Sequence, residues 1–145
     1  SVLFISTHQY PLYPGTGEAS ETGVGNIFNA PLRAGDGGEQ FREAMRSIIL
    51  PALDSFRPDL VIISAGFDAH HADPLGSLQF TEEDFVWATL ELMEAAYKHA
   101  NGRVVSMLEG GYDLRGLASS VGVHVQALMR GVSLAQHAKA EEDGA

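Results

Sequence analysis

The sequence predicts an α/β fold, an open and mainly parallel sheet with flanking helices. Three observations predict it. Short β-branched runs alternate with longer segments of helical period, the order expected of strand-helix-strand units. Two of the runs, VLFIS at 2–6 and LVIIS at 60–64, are apolar without alternation, as strands covered on both faces are. Glycine-, aspartate- and histidine-bearing loops follow the runs on their carboxyl side, where parallel sheets place ligands.

Each element has its own signal. Val2 to Ser6 reads as the first strand. Tyr10 to Gly38 is rich in Gly, Pro, Ser and Thr, interrupted by a short strand around Ile27 to Asn29, and is long enough to be expected to serve function. From Glu39, the residues Phe41, Ala44, Met45, Ile48, Ile49, Ala52, Leu53 and Phe56 make one apolar helical stripe. Pro51 removes the bond to the Ser47 carbonyl and should kink or restart that helix. Leu60 to Ser64 is the second strand, entered through Arg57-Pro58, where the residue before proline resists helix. Thr81 with Asp84 reads as a capping box opening a helix from Glu82 to about His99. Arg103 to Leu108 is the third strand. A last helix from about Leu114 to Arg130 carries Leu117, Val121, Val125, Leu128 and Met129. Residues 1–131 are expected to form the domain and 132–145 a small, charged tail that frays.

Composition narrows the function. The 145 residues, 45% hydrophobic, suit one domain with a real core. A formal charge of -10 repels phosphate backbones and argues against nucleic acid as partner. With no cysteine, there is no disulfide, no thiolate-bound zinc and no thiol nucleophile, so a metal must be held by His, Asp or Glu. No run approaches a membrane span and the N-terminus shows no basic-then-apolar leader, so no membrane is expected and the compartment is read as cytoplasmic.

Three loops carry the chemistry: STHQYPLYPGTGE, SAGFDAHHADPLG and LEGGYD. In the second, Asp68 emerges at a strand tip, where a buried carboxylate needs a metal or a hydrogen-bond network. If the chain stays extended, Asp68 and His70 point the same way as an Asp-x-His metal pair. The alternative is that Asp68 caps a turn and His70 and His71 lie on the surface. In the third, Gly110 and Gly111 allow close backbone approach or positive φ, and the Tyr112 hydroxyl can serve an oxyanion, unless the pair is a plain turn before a half-buried tyrosine. The first loop lacks a Walker lysine and dinucleotide spacing, and Glu18 and Glu21 oppose a phosphate, so it reads as a pocket-lining loop with Tyr10 and Tyr13 as apolar wall. His8 reads as a supporting group near the site, and His99, His124 and His137 as structural or solvated.

In this order the three blocks resemble the C-terminal part of the histone deacetylase family, with SAGFDA and DPLG most like its class II and bacterial amidohydrolase and acetoin-utilisation branch. The resemblance runs from Ser1 to about Gly131 and implies an arginase/deacetylase-like fold, here only its C-terminal portion. It implies a zinc ligand at Asp68 and a transition-state tyrosine at Tyr112. Tyr13 would line the acyl-lysine tunnel, Leu75 would sit at its rim, and Gly110 and Gly111 would shape the substrate site. Main-chain carbonyls of Ser6 and Thr7 match positions that help hold a structural potassium ion. No role falls on His70. The implied reaction is zinc-assisted hydrolysis of an acetylated amine: acetyl-lysine, acetylpolyamine or a small amide.

The family's remaining ligands, an Asp-x-His pair, and its tandem catalytic histidines lie upstream of the matched segment. The chain is therefore expected to be a deacetylase fragment, inactive alone. Two competing readings are a non-catalytic α/β binding module and an arginase-like metallohydrolase, the latter needing further Asp/His-rich motifs.

Overall fold

In a computed structural model, the structure describes the backbone of residues 1–143 and the side chains of residues 1–131. The order is β1 (Phe4–Gln9), β2 (Ile27–Leu32), α1 (Gly38–Ala44), a π-helical turn (Met45–Ile49), α2 (Leu50–Phe56), β3 (Val61–Ala65), α3 (Glu82–Ala100), β4 (Val104–Leu108) and α4 (Leu114–Asp143). The alternation and the parallel pairing are as expected. The pairing is divided. Among the described residues the strands form two two-stranded parallel sheets, β1 with β2 and β3 with β4.

The first strand begins two residues later than expected and ends at Gln9, because Val2 is 75% exposed and the polar Thr7, His8 and Gln9 pair with Ala30, Pro31 and Leu32. The short strand expected at Ile27 to Asn29 extends to Leu32. Pro31 is tolerated there because the ladder to β1 uses its neighbours Ala30 and Leu32, and the Pro31 nitrogen, which carries no hydrogen to donate, falls on the opposite edge.

Pro51 acts as expected, and its effect is felt one turn earlier. Lacking an N–H, it leaves the preceding turn to widen, and the Leu50 N–H donates to the Met45 carbonyl five residues back. The wide turn keeps Phe41, Met45, Ile49 and Leu53 on one buried line, while Ile48 and Phe56 are turned out to solvent. Phe41, Met45 and Ile49 of that line meet Ala30, Leu32, Phe67, Leu78, Phe80 and Phe85 in the main core.

The Thr81 N–H donates to Asp84 Oδ2 at 2.9 Å, the expected capping box of α3. Asn101, left-handed at φ 50°, ends that helix. The α4 backbone is helical to Asp143, beyond the Arg130 expected, and the fraying expected of 132–145, with His137, falls on side chains outside the described set.

Candidate functional site

The three loops singled out from sequence converge beyond the carboxyl ends of the strands. Phe67 donates its N–H to the Gly110 carbonyl at 2.8 Å, and Glu109 to the Ala65 carbonyl, so the loops after β3 and β4 leave the sheet side by side. Asp68 lies in a turn, with the His70 N–H returning to the Phe67 carbonyl at 3.2 Å. The Asp68 carboxylate sits where a Cβ on Gly110 would approach within 2.6 Å of it, and one on Gly66 within 3.0 Å. The close approach that Gly110 permits is to Asp68. Among the described residues no other residue donates a hydrogen bond to this carboxylate; burial, opposed by its own backbone N–H, and then the nearby Asp73 raise its pKa above the ordinary aspartate value.

Gly111 is at φ +139° and a Cβ there would meet Leu117 Cδ1 at 2.7 Å. Gly111→Ala should cost on the order of 1–3 kcal/mol from this backbone strain, before any clash with Leu117, and urea unfolding of the two proteins reads it directly.

Asp73 ties the loops together. Its Oδ1 accepts the N–H of Leu75 at 2.9 Å and of Gly76 at 3.3 Å, and its Oδ2 accepts the Tyr112 N–H at 2.8 Å. Burial pushes its pKa up, but the backbone donors of Tyr112, Leu75, Gly76 and Asp113 outweigh it and hold Asp73 ionised below the ordinary range. One carboxylate thus fixes the backbones of Leu75 and Tyr112 against each other. Asp113 then caps α4, its Oδ1 accepting the Gly116 N–H at 2.6 Å. The Tyr112 ring itself is 55% exposed.

Of the two alternatives for Asp68 the turn is found, and it breaks the extended geometry that an Asp68-x-His70 pair required. His70 is buried rather than on the surface: its Nδ1 accepts the Ala72 N–H at 3.2 Å and its ring lies 4.3 Å from that of the exposed His71. Its Nε2 approaches Glu82 Oε1 at 3.4 Å, without hydrogen-bond geometry. Among the described residues no three His, Asp or Glu side chains converge to hold a metal.

The loop after β1 is folded on its own acids. Glu21 Oε1 accepts the N–H of Gly17 and Glu18 at 3.0 and 3.1 Å, taking donors a phosphate would have used. His8 Nε2 donates to the Gly17 carbonyl at 2.9 Å, which leaves Nδ1 to accept from Ser6 Oγ at 2.8 Å. A cleft of about 600 Å³ lies between this loop and β3, lined by Ser6, Thr7, His8, Tyr13 and Asp68 among others. Tyr13 is 96% exposed at its mouth. Leu75, Gly110, Gly111 and Tyr112 are not in its lining.

Two groups escaped the sequence reading. Asp73 stood among the acids of the second loop without a role, although an Asp two residues before Leu75 is the signature of an Asx turn. Behind the site, His124 is a buried bridge between Thr89 Oγ1 at 2.7 Å and Ser106 Oγ at 2.8 Å, with its ring against Phe67. Thr89 gives its proton to the Phe85 carbonyl, so His124 donates through Nδ1 and accepts from Ser106 through Nε2; burial lowers its pKa. No local pattern could announce a node whose parts come from α3, β4 and α4.

A model of the histone deacetylase domain matches residues 1–128. The chain belongs to the histone deacetylase family. It is 43% identical over 138 residues to the chloroplastic histone deacetylase 10 of Oryza sativa subsp. japonica, covering 92% of this chain and 31% of that protein. It is 42% identical over 116 residues to the histone deacetylase-like amidohydrolase of Pseudomonas aeruginosa, 77% of this chain and 30% of that one. The crystal structure of the HDA15 HD domain superposes with a TM-score of 0.81 at 36% identity, over 90% of this chain and 38% of that one. This deacetylase chain therefore spans about a third of the length of the curated relatives it matches. Among its described residues no helix is long and apolar enough to cross a membrane.

Proposed function

We propose that this chain contributes one metal ligand and the oxyanion donor of a zinc-dependent deacetylase that hydrolyses acetylated amines. The observation that carries the reading is Asp68: a half-buried carboxylate that no other described residue hydrogen-bonds, with a pKa raised by that burial, cradled by glycines and facing the cleft. Such a group fits a metal ligand, since a cation removes the cost of its burial. It fits as one donor of several, and the other donors must come from outside the described residues. Bound there, zinc would polarise the amide carbonyl and activate a water.

The chain's own residues do the rest. Tyr112, its backbone pinned by Asp73 on the loop beside that of Asp68, would offer its hydroxyl to the oxyanion. Tyr13 forms aromatic wall at the mouth, and Leu75 gives the rim an apolar side chain where an acidic one would select polyamines. Gly110 lets the tyrosine loop pass close over Asp68, and Gly111 lets it turn at positive φ against Leu117. Of the two carbonyls expected to help hold potassium, that of Thr7 faces the unpaired edge of β1 while that of Ser6 faces β2, so Thr7 alone is free to bind a cation there. We keep the cytoplasm as the compartment, although the name of the rice relative places that protein in the chloroplast.

The test is a chimaera in which residues 1–128 replace their counterparts in the Pseudomonas amidohydrolase, assayed for zinc content and for hydrolysis of an acetyl-lysine peptide, an acetylpolyamine and a small acetamide. Zinc binding and turnover that survive Asp68→Ala would overturn the proposal. The chain alone should show no zinc-dependent hydrolysis of any of the three, because one carboxylate cannot make the three protein ligands of a catalytic zinc. Turnover by the chain alone, abolished by Asp68→Ala, would send the search for ligands to His8, His70 and His71.

A further inference from the structure

His70 is a buried polar residue that the reaction proposed above does not use. Its backbone stands at the centre of the second loop: the His70 N–H closes the Asp68 turn on the Phe67 carbonyl at 3.2 Å, and the His70 carbonyl accepts the Asp73 N–H at 2.9 Å. The acid that faces the cleft and the acid that holds the tyrosine loop are thus joined through one residue. Its side chain is 6% exposed. Nδ1 accepts the Ala72 N–H, so the ring hydrogen lies on Nε2 and neither nitrogen offers a lone pair to a metal.

The imidazole reaches across to the start of α4. A Cβ on Gly116 would lie 2.8 Å from His70 Nδ1 and 3.2 Å from its Cε1, so the ring occupies the space that a side chain there would need. Glycine weakens a helix relative to alanine, and the ring gives a reason for one in the first turn of α4. The same glycine donates its N–H to Asp113 Oδ1 at 2.6 Å, which fixes it to the residue after Tyr112. On its other side the ring points Nε2 at Glu82 Oε1, 3.4 Å away at the first residue of α3, and Ser119 Oγ of α4 donates to that oxygen at 2.6 Å. His70 is therefore wedged between the Asp68 loop and the first turns of two helices.

The geometry points to His70 as a positioning residue: its buried ring, seated on Gly116, sets the start of α4 and with it Tyr112 against the loop that carries Asp68. The bond from the Tyr112 N–H to Asp73 holds the tyrosine loop at one point and leaves it free to pivot. A second point of contact, four residues on, fixes its direction. The inference rests on Tyr112 as the oxyanion donor, where a misplacement of about 1 Å can lower the rate about 10²-fold.

The test is a double-mutant cycle in the chimaera with the Pseudomonas amidohydrolase, reading kcat, KM, zinc content and amide hydrogen exchange. His70→Ala should lower kcat by about 10- to 100-fold, with KM nearly unchanged, zinc retained and faster exchange of the Tyr112 amide. In the Tyr112→Phe background the same change should lower kcat by less than about twofold further, because a residue that acts through the hydroxyl has nothing left to place. Gly116→Ala favours the helix while putting a methyl group into the seat of the ring, so it should lower kcat in the same way, and it carries the test if His70→Ala does not fold. Unchanged kcat in a folded variant, a loss that multiplies in full on Tyr112→Phe, or zinc lost together with activity would each overturn the assignment. If Tyr112→Phe itself leaves kcat unchanged, the reaction proposed above fails. Exchange of the Tyr112 amide then decides alone: faster in His70→Ala, it upholds His70 as the residue that sets this loop, and unchanged, it overturns it.

Discussion

Tyr112→Phe in the chimaera with the Pseudomonas amidohydrolase should lower kcat by about 10²- to 10³-fold and leave KM nearly unchanged, the loss expected of one oxyanion donor, or about 2.7–4 kcal/mol. The substitution removes one hydroxyl and nothing else. The aromatic ring, 55% exposed, carries little packing, and the tyrosine's backbone is held by its N–H to Asp73 and by the Asp113 cap that follows, neither of which the side chain touches. Stability and zinc content should therefore match the parent. A donor aimed at charge that develops only in the transition state affects kcat, whereas a group that merely binds substrate affects KM. An unchanged kcat would remove Tyr112 from the chemistry and leave it a surface residue at a helix start. Asp73→Asn offers a second view of the same loop. Asparagine retains one acceptor oxygen where Asp73 uses two, so the tyrosine loop should loosen and kcat fall while zinc stays bound.

Much of this was legible locally, and what was not depended on contacts between distant parts of the chain. β3 and β4 appear within a residue of their expected bounds because LVIIS and RVVSML pack side chains that favour strands whatever lies beside them. β1 was displaced because apolar Val2 has no partner while polar Thr7, His8 and Gln9 do, and pairing, not hydrophobicity, decides where a strand ends. The division of the strands into two pairs was not legible for the same reason. Apolar runs announce strands but not neighbours, and β1 and β3 share no hydrogen bonds. The adjacency of the loops bearing Asp68 and Tyr112 was readable because each follows its own strand within a few residues, and parallel pairing then brings the two loops together. Whether Asp68 and His70 could pair depended on an extended chain, and a turn begins there instead. His124 was invisible as a node because its partners, Thr89 and Ser106, lie on separate elements.

Asp68→Asn should make the chain more stable near neutral pH and the assembled enzyme inactive. The sign follows from burial. Asp68 has a folded pKa above its unfolded value, so the native state binds the proton more tightly and stability from this group falls as pH rises from the unfolded value through the folded one. Above that window the native state carries a desolvated charge, aggravated by Asp73, that no donor from another described residue offsets. Asparagine has the same shape without the charge and fits the same glycine-lined space. Urea unfolding of the chain from pH 4 to 8 should show the variant gaining on the parent toward the upper end and converging with it at the lower. In the chimaera the same change weakens a metal ligand, so zinc content and deacetylation should both collapse. A merely structural aspartate predicts the reverse, a less stable chain and an enzyme that keeps its zinc. Retaining a charge at a cost in stability is what a carboxylate does when a cation is its intended partner, and the two opposite signs in one variant separate that role from packing.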